Sequence, residues 1–388
     1  MRRHRKFMTS LVAATVALAM SGTMSVAVAA DTIKVGVILA LSGPAAPFGI
    51  AEADAVRILV DRYNKAGGVN GHQIEAIYHD DQSNPTEGAR GATRLIRQEG
   101  VQAIIGSSTS SSTLAFAPIA AQAKIPVFAP VGAQSLTSKS HAFFPWVFRT
   151  APGSQVTMQS MMLNVVFKPG IKKVAIMHQE DAYGKEEAEL ATRLIKEKGG
   201  IEVVATVSAP LSATDLSSAA TRVRNSDPDL VLLLTSAPAM AGAFVRGAEQ
   251  AKLTAPIVGS LSINQQAFVD AAGKAGNGVM SVTLGNWFEP TPKQIELGKL
   301  LHEAGKQPAG YGEIIGSSSI MILAEAVKAV QGEITGQAIR DAAEKICGFE
   351  GTYSEGKVCY STEQHEGFDA ETVNIVRLED GKWKNVKP

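Results

Sequence analysis

The stretch Val101-Gln102-Ala103-Ile104-Ile105 runs into Gly106-Ser107-Ser108-Thr109-Ser110-Ser111-Ser112-Thr113 and then into an apolar-periodic segment, 114–124. A short apolar run, a Gly and a helical period read as strand, turn and helix. The turn therefore places a cluster of hydroxyls at the end of a strand and the start of a helix. A helix N-terminus carries backbone N–H groups without intrahelical partners, and its dipole end is electropositive. Ser and Thr there either cap the helix or turn outward to hold a ligand's oxygens. Both readings are open from the local run.

Outward from this unit the same alternation repeats. Apolar runs at 33–39, 74–79, 101–105, 126–129, 173–177, 202–207, 230–234 and 256–258 read as strands. Amphipathic stretches at 49–66, 85–98, 113–124, 155–167, 185–198, 215–225 and 239–251 read as helices. Several of the strand runs are continuously apolar and β-branched, as expected for parallel strands covered on both faces. The chain is thus α/β, built from βαβ units. The pattern restarts after Arg149-Thr150-Ala151-Pro152. Two facing domains of this kind leave a cleft rimmed by the carboxyl ends of their strands, where α/β sheets bind ligands.

Residues 1–30 read as an export signal. Arg2, Arg3, Arg5 and Lys6 precede an apolar segment, and Val28-Ala29-Ala30 offers small residues for cleavage. The apolar segment is too short to span a bilayer. The paired arginines raise a twin-arginine route, which the following residues fit poorly. No Cys follows the apolar segment, so no lipid anchor is expected. The whole chain has 37 basic and 37 acidic residues. Removing the four basic residues of the signal leaves 33 against 37, a mildly acidic surface that argues against nucleic acid. About 358 mature residues are too many for one core. Cys347 and Cys359, the two cysteines, lie twelve apart. An oxidising compartment favours their disulfide; two free redox thiols are the alternative, without a C-x-x-C to support it.

A search for catalytic chemistry returns little. There is no G-x-G-x-x-G after a strand, no phosphate loop and no G-x-S-x-G elbow. The seven His never stand at zinc-ligand spacing, and no cofactor or metal is expected. Asp80-Asp81 ends a strand ahead of Gln82-Ser83-Asn84-Pro85, where turn capping competes with acid–base or cation-binding work. His365-Glu366 fits no metal or catalytic pattern. No nucleophile–base pair can be nominated, so an enzyme is not expected.

These residues carry a resemblance. Ile33-Lys34-Val35-Gly36-Val37 with Leu41-Ser42-Gly43-Pro44 resembles the opening of the periplasmic leucine/isoleucine/valine-binding protein family. Asn64-Lys65-Ala66-Gly67-Gly68-Val69-Asn70-Gly71, Asp80 to Pro85, Phe148-Arg149-Thr150, Ala182-Tyr183-Gly184-Lys185 and Asp227-Pro228-Asp229 follow in the family's order. The resemblance implies a type I periplasmic binding protein fold: two doubly wound α/β lobes joined by a three-strand hinge. Lobe 1 would comprise 31–150 plus about 282–358, and lobe 2 151–281 plus about 359–388. It implies a monomeric periplasmic receptor that closes on one small ligand and delivers it to an inner-membrane ABC permease. A sensor that docks on a receptor instead uses the same cleft and stays open.

By the same resemblance Ser110 holds the ligand's carboxylate, with Ser108 and Ser111 adjacent. Val131 and Ala133 match a loop that offers a carbonyl and a Thr hydroxyl, and Tyr183 and Phe48 match aromatic walls. The departures are as informative. Ala133 lacks the hydroxyl, Ser236 stands where the family has Tyr, and Leu261 stands where an acid receives the ligand's ammonium. Asp181 or Glu289 are the substitutes available for that acid, though neither matches its position. A buried ammonium without a counter-charge is costly. A small carboxylate without an α-amine (aromatic, aliphatic or keto acid) is therefore expected. The alternatives are a hydrophobic amino acid held by another acceptor, with Leu261 a neutral wall residue. Trp287-Phe288 would add an aromatic wall or simply bury area. If Ser110 is a ligand contact, Ser110→Ala weakens binding and leaves the ligand-free fold almost unchanged; if a cap, it impairs folding.

Overall fold

The computed structural model describes residues 32–353, 356–369 and 372–386. The expected export signal lies outside them. In the first half, β1 (Ile33–Leu39), α1 (Ala46–Lys65), β2 (Ile74–Asp80), α2 (Pro85–Arg94), β3 (Ala103–Gly106), α3 (Ser110–Gln122), β4 (Val127–Ala129) and β5 (Val147–Arg149) follow one another. Their strands form a five-stranded sheet in the order β2-β1-β3-β4-β5, parallel throughout.

The second half repeats the plan. It comprises α4 (Ser154–Met161), β6 (Lys173–Gln179), α5 (Ala182–Lys198), β7 (Glu202–Ala209), α6 (Ser217–Asn225) and β8 (Leu230–Leu234). There follow α7 (Pro238–Gln250), β9 (Ile257–Gly259), α8 (Gln266–Ala272) and β10 (Met280–Thr283). The chain then returns to the first lobe with α9 (Pro292–Glu303), α10 (Tyr311–Ala329) and α11 (Gly336–Ala343). After these come β11 (Cys347–Phe349), β12 (Val358–Ser361), β13 (Gln364–Gly367), β14 (Asn374–Glu379) and β15 (Lys382–Asn385). The second sheet has the order β15-β14-β10-β9-β8-β6-β7, with β14 and β15 antiparallel additions.

Period-two alternation explains the continuous apolar strands. Val35, Val37 and Leu39 of β1 face Val56 and Leu59 of α1 and Ile314 of α10. Ile38 joins Leu95 and Phe116 on the opposite face. In β6, Val174 and Ile176 take one side, while Ala175 and Met177 take the other. Both faces are covered by helices, so neither can be polar.

Three expected helices begin three residues earlier than their apolar period implies, α1 at Ala46 among them. α3 starts at Ser110 because Thr109 caps it, its hydroxyl accepting from the Ser112 N–H. α5 starts at Ala182 because Asp181 accepts from the Gly184 N–H. β5, β10 and the last five strands, short and partly polar, escaped the sequence reading.

The chain passes between the sheets after Arg149, after Thr283 and after Gly367. The second crossing follows β10 rather than preceding residue 282. The third falls several residues beyond the expected 358/359 boundary, because β12 pairs with both β11 and β13 in one three-stranded sheet. That sheet is tied to β5: the Tyr360 hydroxyl donates to the Arg149 carbonyl, and His365 stacks on Phe148 at 4.1 Å between centroids. Cys347 faces Cys359 across the β11–β12 pair and is disulfide-bonded to it. Reduction of this short-loop disulfide is expected to cost about 2–3 kcal/mol of folding stability. Calorimetric melting with and without reductant checks this, and identical midpoints would deny it a stabilising role.

Candidate functional site

The turn at 106–113 is built on close approaches. Gly106 has φ +135°, and a Cβ there would fall 1.9 Å from the Ile38 carbonyl oxygen, so only glycine lets β3 and β1 approach this closely. Beyond it each hydroxyl has its own task. Thr113 Oγ1 accepts from the Ser107 N–H at 2.8 Å and donates to the Thr109 carbonyl at 3.1 Å. The Ser107 hydroxyl donates to Asp81, which also accepts from the Ser83 N–H at 2.9 Å. Asp80 accepts from the N–H groups of Leu41 and Gln82. The acidic pair therefore organises turns. Burial raises the Asp81 pKa, while hydrogen bonds to Asp80 hold its pKa low despite partial burial.

Between the two lobes lies a narrow cleft, lined by residues of both halves. Seven of the nine sequence-nominated residues line it: Phe48, Ser108, Ser110, Val131, Tyr183, Ser236 and Leu261. The other two do not. Ala133 is fully buried, its N–H donating to Ser110 Oγ at 3.1 Å. Ser111 reaches across the lobes, its hydroxyl donating to Asp181 at 2.9 Å. That bond brings the N-terminal ends of α3 and α5 together, an electropositive pairing suited to an anion.

Apolar walls come from Phe48, Tyr311, Val131, Pro130, Pro152 and Leu261. Phe48 and Tyr311 stack at 5.4 Å between centroids. Tyr183 packs against Gly132, where an added Cβ would lie 3.1 Å from the ring. Trp287 and Phe288 lie outside the cleft; the Trp287 indole donates to the Gly310 carbonyl and Phe288 is 47% exposed.

The Tyr183 and Tyr311 hydroxyls have no hydrogen-bond partner among the described residues, while most of the other polar lining is committed. Ser262 donates to the Thr235 carbonyl, Ser236 to Gln179 Oε1 at 3.0 Å, and Thr157 to carbonyls of its own helix. Ser108 lies between the Ala40 N–H, from which it accepts at 3.1 Å, and the fully buried Glu52. Desolvation raises the Glu52 pKa well above the ordinary range. Ser110 only accepts, so its own proton is free to donate into the cleft. Among the described residues that line the cleft there is no Lys, Arg or His, and no cluster that could hold a metal ion occurs among the described residues.

Neither proposed substitute for the family's acid serves the cleft. Asp181 is engaged as the α5 cap and with Gln179 and Ser111. Glu289 accepts from the Asn385 N–H away from the cleft. Instead Glu187, four residues beyond Tyr183 and hence on the same face of α5, lines it. It is 2% exposed, and its Oε1 has no hydrogen-bond partner among the described residues. Desolvation pushes its pKa up to about 7. The sequence reading missed it, although a helical period counted from Tyr183 points to it. Tyr311 gave no local signal; only the return of α10 to the first lobe brings it here.

The 131–133 loop is held from behind by Arg149, 1% exposed at the end of β5. Its Nη1 donates to the Val131 carbonyl at 2.6 Å and its Nη2 to the Ala133 carbonyl at 2.8 Å. The Gly132 carbonyl accepts from the Ser154 N–H at 2.8 Å and from the Ser154 hydroxyl at 2.9 Å. Near the place expected to receive an ammonium, the Gly132 carbonyl thus accepts two hydrogen bonds, and the Val131 and Ala133 carbonyls each face the Arg149 cation. Arg149 Nε is paired with Glu366 at 2.7 Å, and Glu366 accepts from the Gly153 N–H at 2.6 Å. His365 beside it is a packing residue between Phe144 and Phe148, its pKa lowered to about 4 chiefly by desolvation.

The sequence pattern of a family described as periplasmic binding proteins matches residues 32–382. The chain belongs to the periplasmic binding protein family. It is 26% identical over 329 residues to the leucine-, isoleucine-, valine-, threonine- and alanine-binding protein of Pseudomonas aeruginosa, covering 84% of this chain and 86% of that one. The Streptococcus pneumoniae branched-chain amino acid transporter substrate-binding protein LivJ, solved with isoleucine, has a TM-score of 0.77 at 26% identity, covering 92% of this chain and all of that one. A Rhodopseudomonas palustris ABC-transporter solute-binding protein solved with benzoate has a TM-score of 0.76 at 24% identity, covering 92% and 95%. This periplasmic binding protein thus has the fold of amino-acid binders and of an aromatic-acid binder alike.

Ser110→Ala is expected to weaken ligand binding by roughly tenfold, the worth of one hydrogen bond to a charged group. It also leaves the buried Ala133 N–H unpaired, which costs about 1–3 kcal/mol in the ligand-free protein. Stability is therefore not spared, contrary to the sequence-based expectation. Titration calorimetry and melting of the one variant read both effects, and unchanged affinity would remove Ser110 from the site.

Proposed function

We propose that this periplasmic binding protein is the receptor of an ABC importer and carries a small carboxylate that lacks an α-amine. The ligand's carboxylate sits at the α3 N-terminus and receives the Ser110 proton, and its apolar body lies among Phe48, Tyr311, Val131 and Leu261. The observation that carries this reading is the occupied 131–133 loop. The Val131 and Ala133 carbonyls already accept from a guanidinium, which disfavours a second cation beside them, and a Leu rather than an acid lines the cleft at 261. Residues 1–30 direct export to the periplasm, and the protein acts as a monomer with no cofactor and no catalytic activity of its own.

One observation favours a second reading. Glu187 is an acid in the cleft with an unpartnered oxygen, and an ionised Glu187 would suit a hydrophobic amino acid. Titration calorimetry with benzoate, 4-methyl-2-oxopentanoate and leucine separates the two. Binding of the acids without leucine is expected; tight leucine binding with no response to the acids overturns the proposal. Melting is the faster screen, since a ligand at a thousandfold excess over Kd adds about 4 kcal/mol. Loss of uptake on deletion tests the permease role against a receptor-docking sensor.

A further inference from the structure

Among the described residues, Glu187 is the buried acid with an unpartnered oxygen that lines the cleft. Ser154, at the start of α4, stands beside it. The Ser154 hydroxyl already donates to the Gly132 carbonyl at 2.9 Å. A hydroxyl has a single proton, so Ser154 cannot also donate to Glu187. Glu187 Oε1 is thus left without a donor, in a carboxyl that lines the cleft and that burial holds toward its neutral form. Leaving that oxygen unmet in a dry cleft is costly.

We infer that Glu187 Oε1 accepts a hydrogen bond from a hydroxyl on the body of the ligand, making Glu187 the specificity-determining residue for hydroxylated over plain carboxylic acids. This rests on the carboxylate reading above. The ligand is then read at two separate points, its carboxylate by Ser110 and its hydroxyl by Glu187, with the aromatic walls between. Burial supports the neutral form, because an isolated ionised carboxylate in such a place is strongly disfavoured.

The test is titration calorimetry at pH 6 with benzoate and its three monohydroxy derivatives. The wild-type protein is compared with Glu187→Gln and Glu187→Leu, and melting controls for folding. At least one monohydroxybenzoate is expected to bind the wild type about tenfold more tightly than benzoate. Glu187→Leu should erase that preference, read as the ratio of hydroxybenzoate to benzoate affinity in the same variant, and Glu187→Gln, whose amide oxygen still accepts, should keep most of it. If benzoate and its derivatives bind alike, or if Glu187→Leu preserves the preference, the inference falls and the carboxylate reading stands. If none of the acids binds while leucine does, and Glu187→Gln abolishes leucine binding, both fall together and Glu187 is an ammonium partner.

Discussion

Arg149→Met is expected to destabilise the protein by about 3–5 kcal/mol, the usual consequence of breaking a buried ion pair from one side. Arg149 is 1% exposed and Glu366 13% exposed, so the remaining carboxylate would stay largely out of water without its cation. The Val131 and Ala133 carbonyls and the Thr137 hydroxyl would lose their donors as well. The geometry gives the residue a double role. Arg149 ends β5 at the first crossing, and Glu366 lies in β13 just before the third, holding the Gly153 N–H at the entry to α4. The same guanidinium fixes the loop that forms one wall of the cleft. Ligand affinity should therefore fall together with the melting midpoint. Arg149→Lys keeps the charge but not the fork and should recover only part of the loss. A fully stable Arg149→Met protein with wild-type affinity would show that the crossings do not depend on this pair.

The second large effect is the pH dependence of binding, which has opposite signs for the two ligand classes. Glu187 is held at a pKa of about 7 by burial, against an ordinary glutamate near 4.3. Tyr183 and Glu186 are its titratable neighbours on α5, and Ser154 meets it from α4. A bound carboxylate disfavours ionisation further, so binding takes up a proton above pH 7 and affinity falls by up to about tenfold per pH unit. A bound ammonium favours ionisation, so binding releases a proton and affinity rises as pH increases through the same range. Calorimetry in buffers of different ionisation enthalpy counts that proton directly. Proton uptake with benzoate, abolished in Glu187→Gln, is the expected result; proton release would reject the acid reading. In the ligand-free protein the sign is fixed by the raised carboxyl. The folded state binds more protons than the unfolded between about pH 4.3 and 7, so this contribution to stability is present at low pH and is lost as pH rises through 7. Glu313, whose pKa burial also pushes up to about 7, acts in the same direction.

Much of the architecture was legible because buried parallel strands and amphipathic helices write strong local patterns. Leu230–Leu234 stands as read, since a strand covered on both faces must be apolar at every position, and so does Ile33–Leu39, where only Lys34 near the strand's start is polar and half-buried. The site was legible where a motif spans strand end and helix start, as at Ser108 and Ser110. Ser111 and Ala133 fall outside the cleft lining because neighbours in sequence need not share a surface: one hydroxyl is spent across the lobes on Asp181 and one residue is sealed behind Ser110. The three-stranded sheet of β11, β12 and β13 was read as a disulfide-closed loop because its strands are short and partly polar.

The sequence by itself determined that the chain is an α/β protein of two halves, with hydroxyls rather than charges at a helix N-terminus and no acid at Leu261. Those features depend on local period and residue type. Only the tertiary structure decided which protons and lone pairs remain free in the cleft. Arg149 occupies the carbonyls of a loop far from its own side chain's neighbours in sequence, and Ser154 passes its proton to Gly132. Hydrogen-bond capacity is finite and is spent between distant segments. What is left over, the Ser110 proton, the Tyr183 and Tyr311 hydroxyls and Glu187 Oε1, can be counted only once the chain has folded.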